Sequence, residues 1–205
     1  MELSDYLRVV RKNVILLLAL MLVGVGVGAL IATVQQPSYS AQTQVFVSTQ
    51  GGGSSAELVQ GNSFTLSRVK TYASLATSQD VLERVIADLG LTLDSQTLAE
   101  SVAASPVLDT TIIEINAVDE DPALAARIAD AVAASLATTV AEIESPGEGG
   151  SPVQLTTVER ATVPQTPVSP RPMLNVALGA LLGLALGIAI ALLREVLDTR
   201  IRDER

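Results

Sequence analysis

Ala161–Arg205 reads ATVPQTPVSPRPMLNVALGALLGLALGIAIALLREVLDTRIRDER, and its three parts set the plan of the whole chain. Prolines at Pro164, Pro167, Pro170 and Pro172 form an extended lead-in. Met173 to Leu193 carries no charge, and the remaining residues alternate in sign. An apolar helix of about 20 residues rises roughly 30 Å, the thickness of a bilayer's hydrocarbon core. The segment therefore reads as leaving one compartment and ending in another. Two roles for the prolines stand side by side. One is a stiff polyproline-II strut advancing about 3.1 Å per residue, the other a spacer that stops helix propagation.

A second charge-free run, Val14–Val34, lies near the N-terminus and is 21 residues long. A cleaved signal peptide has a shorter apolar region and an Ala-x-Ala-like exit, which Ala29-Leu-Ile-Ala32 fits poorly, so an uncleaved anchor is expected. Ahead of it, MELSDYLRVVRKN places Leu3, Tyr6, Leu7 and Val10 at helical spacing among Arg8, Arg11 and Lys12. That pattern suits a surface amphipathic helix or a plain topogenic flank.

Charge is partitioned between the segments. Gln35–Arg171 holds 16 acidic against 6 basic residues, whereas the two ends outside the spans hold 6 acidic against 7 basic. Arg8, Arg11, Lys12, Arg194, Arg200 and Arg202 flank the spans on the terminal sides, with Arg171 the one basic flank opposite. The positive-inside rule puts both termini in the cytoplasm and the middle outside. The chain of 205 residues is 48% hydrophobic and contains no Cys or His. Disulfide scaffolds, zinc sites and Cys- or His-based nucleophilic catalysis are excluded. A formal charge of −9 argues against nucleic acid as a partner.

Between the spans, Tyr39–Thr49 alternates as a strand and Gln50–Ser55 is a glycine-rich loop without P-loop spacing. Residues 62–77 suit a helix that packs Val69, Tyr72, Ala73 and Ala76. Residues 79–89 form a clearer one, with Ser78 as cap, a Val81-Leu82-Val85-Ile86-Leu89 stripe and Gly90 as the stop. A short helix is expected at Leu98–Ala104, and a strand at Thr110–Val118 with Ile113, Ile115 and Ala117 on one side. Asp121 and Pro122 then start the longest helix, striped by Leu124, Ile128, Val132, Leu136, Val140 and Ile143. Its acidic start lacks the spacing of a calcium loop. Ser145–Ser151 reads as a loop and Val153–Val163 as the last strand. The fold class expected is α+β, an α/β sandwich flanked by two transmembrane helices.

Gly179, Gly183 and Gly187 repeat every four residues in the second span, as Gly24, Gly28 and Ala32 do in the first. Small residues at this interval let helix backbones meet, within or between subunits. With no ionisable residue in either span, an anchor is expected rather than a transporter. No catalytic, metal-binding or cofactor-binding residues are expected. Arg68, Lys70, Arg84 and Arg127 read as solvated helix-surface charges, with contact to an anionic polymer as the alternative.

The proline run joined to a glycine-rich span resembles the chain-length determinant (Wzz-type) polysaccharide co-polymerases. ELSDYLRVVRKN, YSAQTQVFV, DEDPALAARIADAVAASL and LLREVLDTRIR extend that resemblance along nearly the whole chain. It implies a homo-oligomer in the cell membrane that controls the length or export of a capsular or exopolysaccharide. Its partners would be a polysaccharide polymerase or flippase, membrane lipid, and a cytoplasmic tyrosine kinase, fused or separate. The divisions implied are 1–13 cytoplasmic, 14–34 transmembrane, 35–163 extracytoplasmic, 164–172 proline segment, 173–193 transmembrane and 194–205 tail. There is no GxxxxGK[ST] loop, and the tyrosines are only Tyr6, Tyr39 and Tyr72, so ATP binding by these residues is not expected. The tail, with Arg194, Asp198, Arg200 and Arg202, reads as a docking helix, a linker to a kinase or a topogenic flank. An activator module for a tyrosine kinase and a two-span envelope sensor are the alternative functions.

Overall fold

A computed structural model describes residues 12–49, 68–145 and 153–197. The chain divides into two compact units, one from Met1–Gln36 with Ser169–Arg205 and the other from Pro37–Val168. The expected N-terminal helix, the Gln50–Ser55 loop, the first part of the 62–77 helix and most of the Ser145–Ser151 loop lie outside the described residues.

The first unit is a pair of helices, α1 (Val14–Val34) and α5 (Pro172–Leu197). Leu17 of α1 meets Gly187, Leu20 meets Gly183, Gly24 meets Gly179 and Gly28 meets Asn175, so the two run antiparallel. Leu22, Val23, Leu30, Leu181, Leu182 and Leu186 are largely exposed around the pair. A continuous apolar exterior of this kind suits lipid and not water. Three described helices are long and apolar enough to cross a membrane: Val14–Val34, Pro122–Glu144 and Pro172–Arg194.

The second unit is built on a four-stranded antiparallel sheet in the order β2-β3-β1-β4. The strands are β1 (Tyr39–Thr49), β2 (Val102–Pro106), β3 (Ile112–Asp119) and β4 (Val153–Glu159). Helices α2 (Gln79–Leu89), α3 (Ser95–Ser101) and α4 (Pro122–Glu144) connect or precede them, with a further helical stretch at 68–75. Ala41, Thr43, Val45 and Val47 of β1 and Ile113, Ile115 and Ala117 of β3 are buried, and their alternate neighbours are not. The period of two thus turns one sheet face into the core and leaves the other open. Helix α4 covers the core face with Ile128, Ala129, Val132, Leu136 and Val140. Val69, Tyr72, Ala73, Ala76, Val81, Leu82 and Val85 complete the same cluster.

Local chemistry explains where the elements start and stop. Asp121 accepts from the Ala123 N–H at 2.9 Å, and Pro122 fills the first helical position of α4. Gly90 ends α2 at φ 64°, the left-handed turn that costs glycine nothing. Ser78 stands at the N-cap of α2, but its side chain makes no capping bond.

Some boundaries and one stripe position differ from expectation. The helix expected at Leu98–Ala104 is Ser95–Ser101, capped by Asp94, and Val102–Pro106 forms the edge strand β2 instead. Pairing Val102 with Ala117 and Ala104 with Ile115 satisfies backbone groups that a longer helix would leave to water. The last strand stops at Glu159 and not Val163, because the Ala161 N–H donates to the Asp130 carboxylate of α4 at 2.8 Å. Ile143 is exposed, beyond the reach of the sheet.

Leu136 has no exposed surface. Leu136→Ala is expected to destabilise the unit by about 2–5 kcal/mol, and Asp121→Ala by about 1 kcal/mol through the lost cap. Gln42→Ala on the open face should stay within about 0.5 kcal/mol. Hydrogen exchange of the α4 amides, followed by mass spectrometry, checks all three.

Candidate functional site: a glycine crossing and a clamped helix end

In the helical pair, the glycines stand where the two backbones cross. A Cβ added at Gly24, Gly28, Gly179 or Gly183 would fall within 3.0 Å of a carbonyl oxygen of the opposite helix, which no real side chain tolerates. At Gly187 the clash would be with the Leu17 side chain, 2.9 Å away. Gly26 points elsewhere, with nothing within 4 Å. The spacing places four glycines of the two runs in one seam, so close that Cα–H groups reach carbonyls across it. A groove of about 360 Å³ opens beside the seam, lined by Leu20, Val23, Val27, Ile31, Leu178 and Leu182 among others. At one end the Asn175 amide N–H₂ donates to Gln35 Oε1 at 3.4 Å.

Of the proline motif, Pro164 and Pro167 belong to the sheet unit, while Pro170 and Pro172 belong to the helical pair. Residues 160–168 have no helix or strand. The Val168 N–H donates to the Ser38 carbonyl at 2.8 Å, tying the exit of the sheet unit to its entry. Pro172 opens α5 directly, one residue earlier than expected and at a position suited to proline. Arg194 lies in the last turn of α5, where a cation complements the helix dipole. Asp198, Arg200 and Arg202 lie outside the described residues.

A second feature escaped sequence reasoning. Helix α4 ends with Glu142 and Glu144, two carboxylates at the negative end of a helix dipole. Arg84 of α2 grips Glu142 with two parallel bonds, 2.7 and 3.0 Å long. Arg68 pairs with Glu144, whose Oε1 also accepts the Tyr72 hydroxyl at 2.9 Å. The Arg84 hydrogen bonds hold the Glu142 carboxyl below its ordinary value and raise the guanidinium. Burial pushes the Tyr72 phenol up, with its bond to Glu144 adding to the shift. Arg68 and Arg84, read from sequence as solvated, are therefore engaged in fastening two helical segments to the end of α4. The only signal available in sequence was the pair of misplaced acids.

Long apolar helices mark a membrane protein, and comparison gives its family. Residues 1–89 match the family model described as chain length determinant protein (Wzz). Capsular polysaccharide biosynthesis protein CpsC of Streptococcus pneumoniae is 32% identical over 193 residues, covering 94% of this chain and 81% of the relative. The chain belongs to this chain-length-determinant family. It is similar also to capsular polysaccharide biosynthesis protein CapA of Staphylococcus aureus, at 26% identity over 99% of this chain and 89% of that one. A second model, described as "G-rich domain on putative tyrosine kinase", matches residues 147–196. Among solved structures, a full-length bacterial polysaccharide co-polymerase has the same fold, with a TM-score of 0.55 at 10% identity, covering 98% of this chain and 100% of that one.

Two outcomes follow from this geometry. Gly24→Leu and Gly183→Leu should each lower the thermal midpoint of the helical pair in detergent, whereas Gly26→Leu should leave it unchanged. For Glu142, a carboxyl whose folded-state value is depressed adds stability above its unfolded value of about 4.3, and that stability is lost as the pH falls through the folded value. Glu142→Gln should thus be less stable than the parent chain at pH 7. The difference should shrink below about pH 4 and vanish where both states are protonated, as thermal melts across pH would show.

Proposed function

We propose that this chain is a membrane polysaccharide co-polymerase that sets the chain length or export of a capsular or exopolysaccharide. The observation that carries the reading is its similarity, over nearly the full length, to capsular polysaccharide biosynthesis proteins. In this reading α1 and α5 are two transmembrane spans, both termini are cytoplasmic and the α/β sandwich of residues 35–163 is extracytoplasmic. Helix α4 remains in that domain, because its apolar stripe is used against the sheet and its ends carry Asp121, Glu142 and Glu144. The protein acts as a non-catalytic oligomeric scaffold for a polymerase or flippase. Gly24, Gly28, Gly179, Gly183 and Gly187 form its packing seam, and Pro164, Pro167, Pro170 and Pro172 connect domain and span.

A second reading, membrane activator of a cytoplasmic tyrosine kinase, is favoured by the match of residues 147–196 to the kinase-associated G-rich model. Arg194, Asp198, Arg200 and Arg202 would then dock the kinase. Deleting the gene should shift the polymer's size distribution on a gel or reduce its surface yield. An unchanged glycan profile removes the first reading. Failure of any kinase to bind the full chain or to gain activity from it removes the second.

A further inference from the structure

Among the described residues nothing packs on the open face of the sheet, and its composition is unusual. Ladder register puts Gln42 opposite Asn116, Gln44 opposite Glu114, and Phe46 between Ile112 on β3 and Thr156 on β4. Phe46 is 42% exposed in mid-strand, although the chain has only two Phe, three Tyr and no Trp. Nearest it on this face stand Gln44, Thr156 and the Glu114 carboxylate, which accepts the Asn116 amide N–H₂ at 2.8 Å, while Gln42 and Asn116 are a cross-strand pair about 13 Å further along the ladder. No Lys or Arg occurs in any of the four strands. The cross-strand pair with Ile112 alone would explain an aromatic here, but not the amides that line the same face along the strands.

We propose that this face docks a neutral or amine-bearing polysaccharide, an assignment that rests on the co-polymerase reading above. A sugar ring offers a flat C–H face edged by hydroxyls. Phe46 supplies the matching apolar plate, Gln44 and Thr156 supply donors and acceptors beside it, and Gln42 and Asn116 supply them further along an extended polymer. Glu114 and Glu159 on the same face repel an anionic polymer, and the lack of cations leaves nothing to hold an acidic lipid surface. Two copies stacked through this face would set carboxylate against carboxylate, so a second copy is the poorer occupant.

The test uses the full chain in phosphatidylcholine nanodiscs, titrated by calorimetry with three probes: dextran, chitosan and galacturonate oligosaccharides. Dextran or chitosan oligomers are expected to bind and galacturonate oligomers not to. Phe46→Ala should weaken the binding about five- to tenfold, while Phe46→Tyr retains it. Because Phe46 points away from the core, both variants should keep the parent's thermal midpoint within a few degrees. Preference for the galacturonate oligomer, binding of none of the three, or unchanged affinity in Phe46→Ala overturns the proposal. So does a changed subunit count in Phe46→Ala, which marks the face as an interface between copies. In cells, unchanged polymer size after gene deletion defeats the co-polymerase reading itself. A shift on deletion, with parent-like polymer from Phe46→Ala, defeats the docking face alone.

Discussion

Strand β1 is hydrogen-bonded on both sides, and the rest of the sheet unit depends on that double pairing. On one side it pairs with β3, on the other with β4, so segments far apart in sequence are closed into one ladder. Closing loops this long costs chain entropy that only a cooperative set of bonds and a buried face offsets. Val45 and Val47 serve both purposes, since their backbones stand in the ladder and their side chains lie under α4. The Val168–Ser38 bond continues the closure past β4 and brings the exit of the sheet unit to its entry.

The helical pair is held by the opposite device. In the sheet unit, bulk fills space; in the seam, the absence of side chains allows approach. Between helices in lipid there is little hydrophobic gain from contact, since lipid tails are as apolar as leucine. Close van der Waals and Cα–H···O contact between backbones remains, and only glycine permits it. This is why Gly26, two residues from Gly24 and two from Gly28, has no comparable constraint.

What was legible in sequence followed periodicity and chain punctuation. The two apolar helices, the Asp121–Pro122 start and the Gly90 stop each declare themselves within a few residues. Alternation in β1 and β3 is equally local. Strand β2 was not legible, because Val-Ala-Ala-Ser-Pro has neither length nor β-branched enrichment. It is a strand only because β3 is there to pair with it. The arginine clamps were hidden for the same reason. Arg84 and Glu142 are 58 residues apart, and nothing near either one names the other. The glycine runs were visible as repeats, while their mutual contact is a property of the pair.

The composition of α4 links these levels. Ala125, Ala126, Ala129 and Ala133 are buried, each offering less apolar surface than Leu or Ile. A helix so small on its buried side lies close to the sheet, but it gains less from burial per residue. Its ends make up part of the difference. Asp121 caps the N-terminus, and Arg84, Arg68 and Tyr72 hold the two acids at the C-terminus. Without those cations, Glu142 and Glu144 would oppose the helix dipole and loosen the last turn. Six basic residues lie in Gln35–Arg171, and two of them are spent on this one helix end. With none of the six in the strands, the sheet's open face is left polar and acidic, which is the chemistry on which its proposed preference for uncharged or amine-bearing glycan depends.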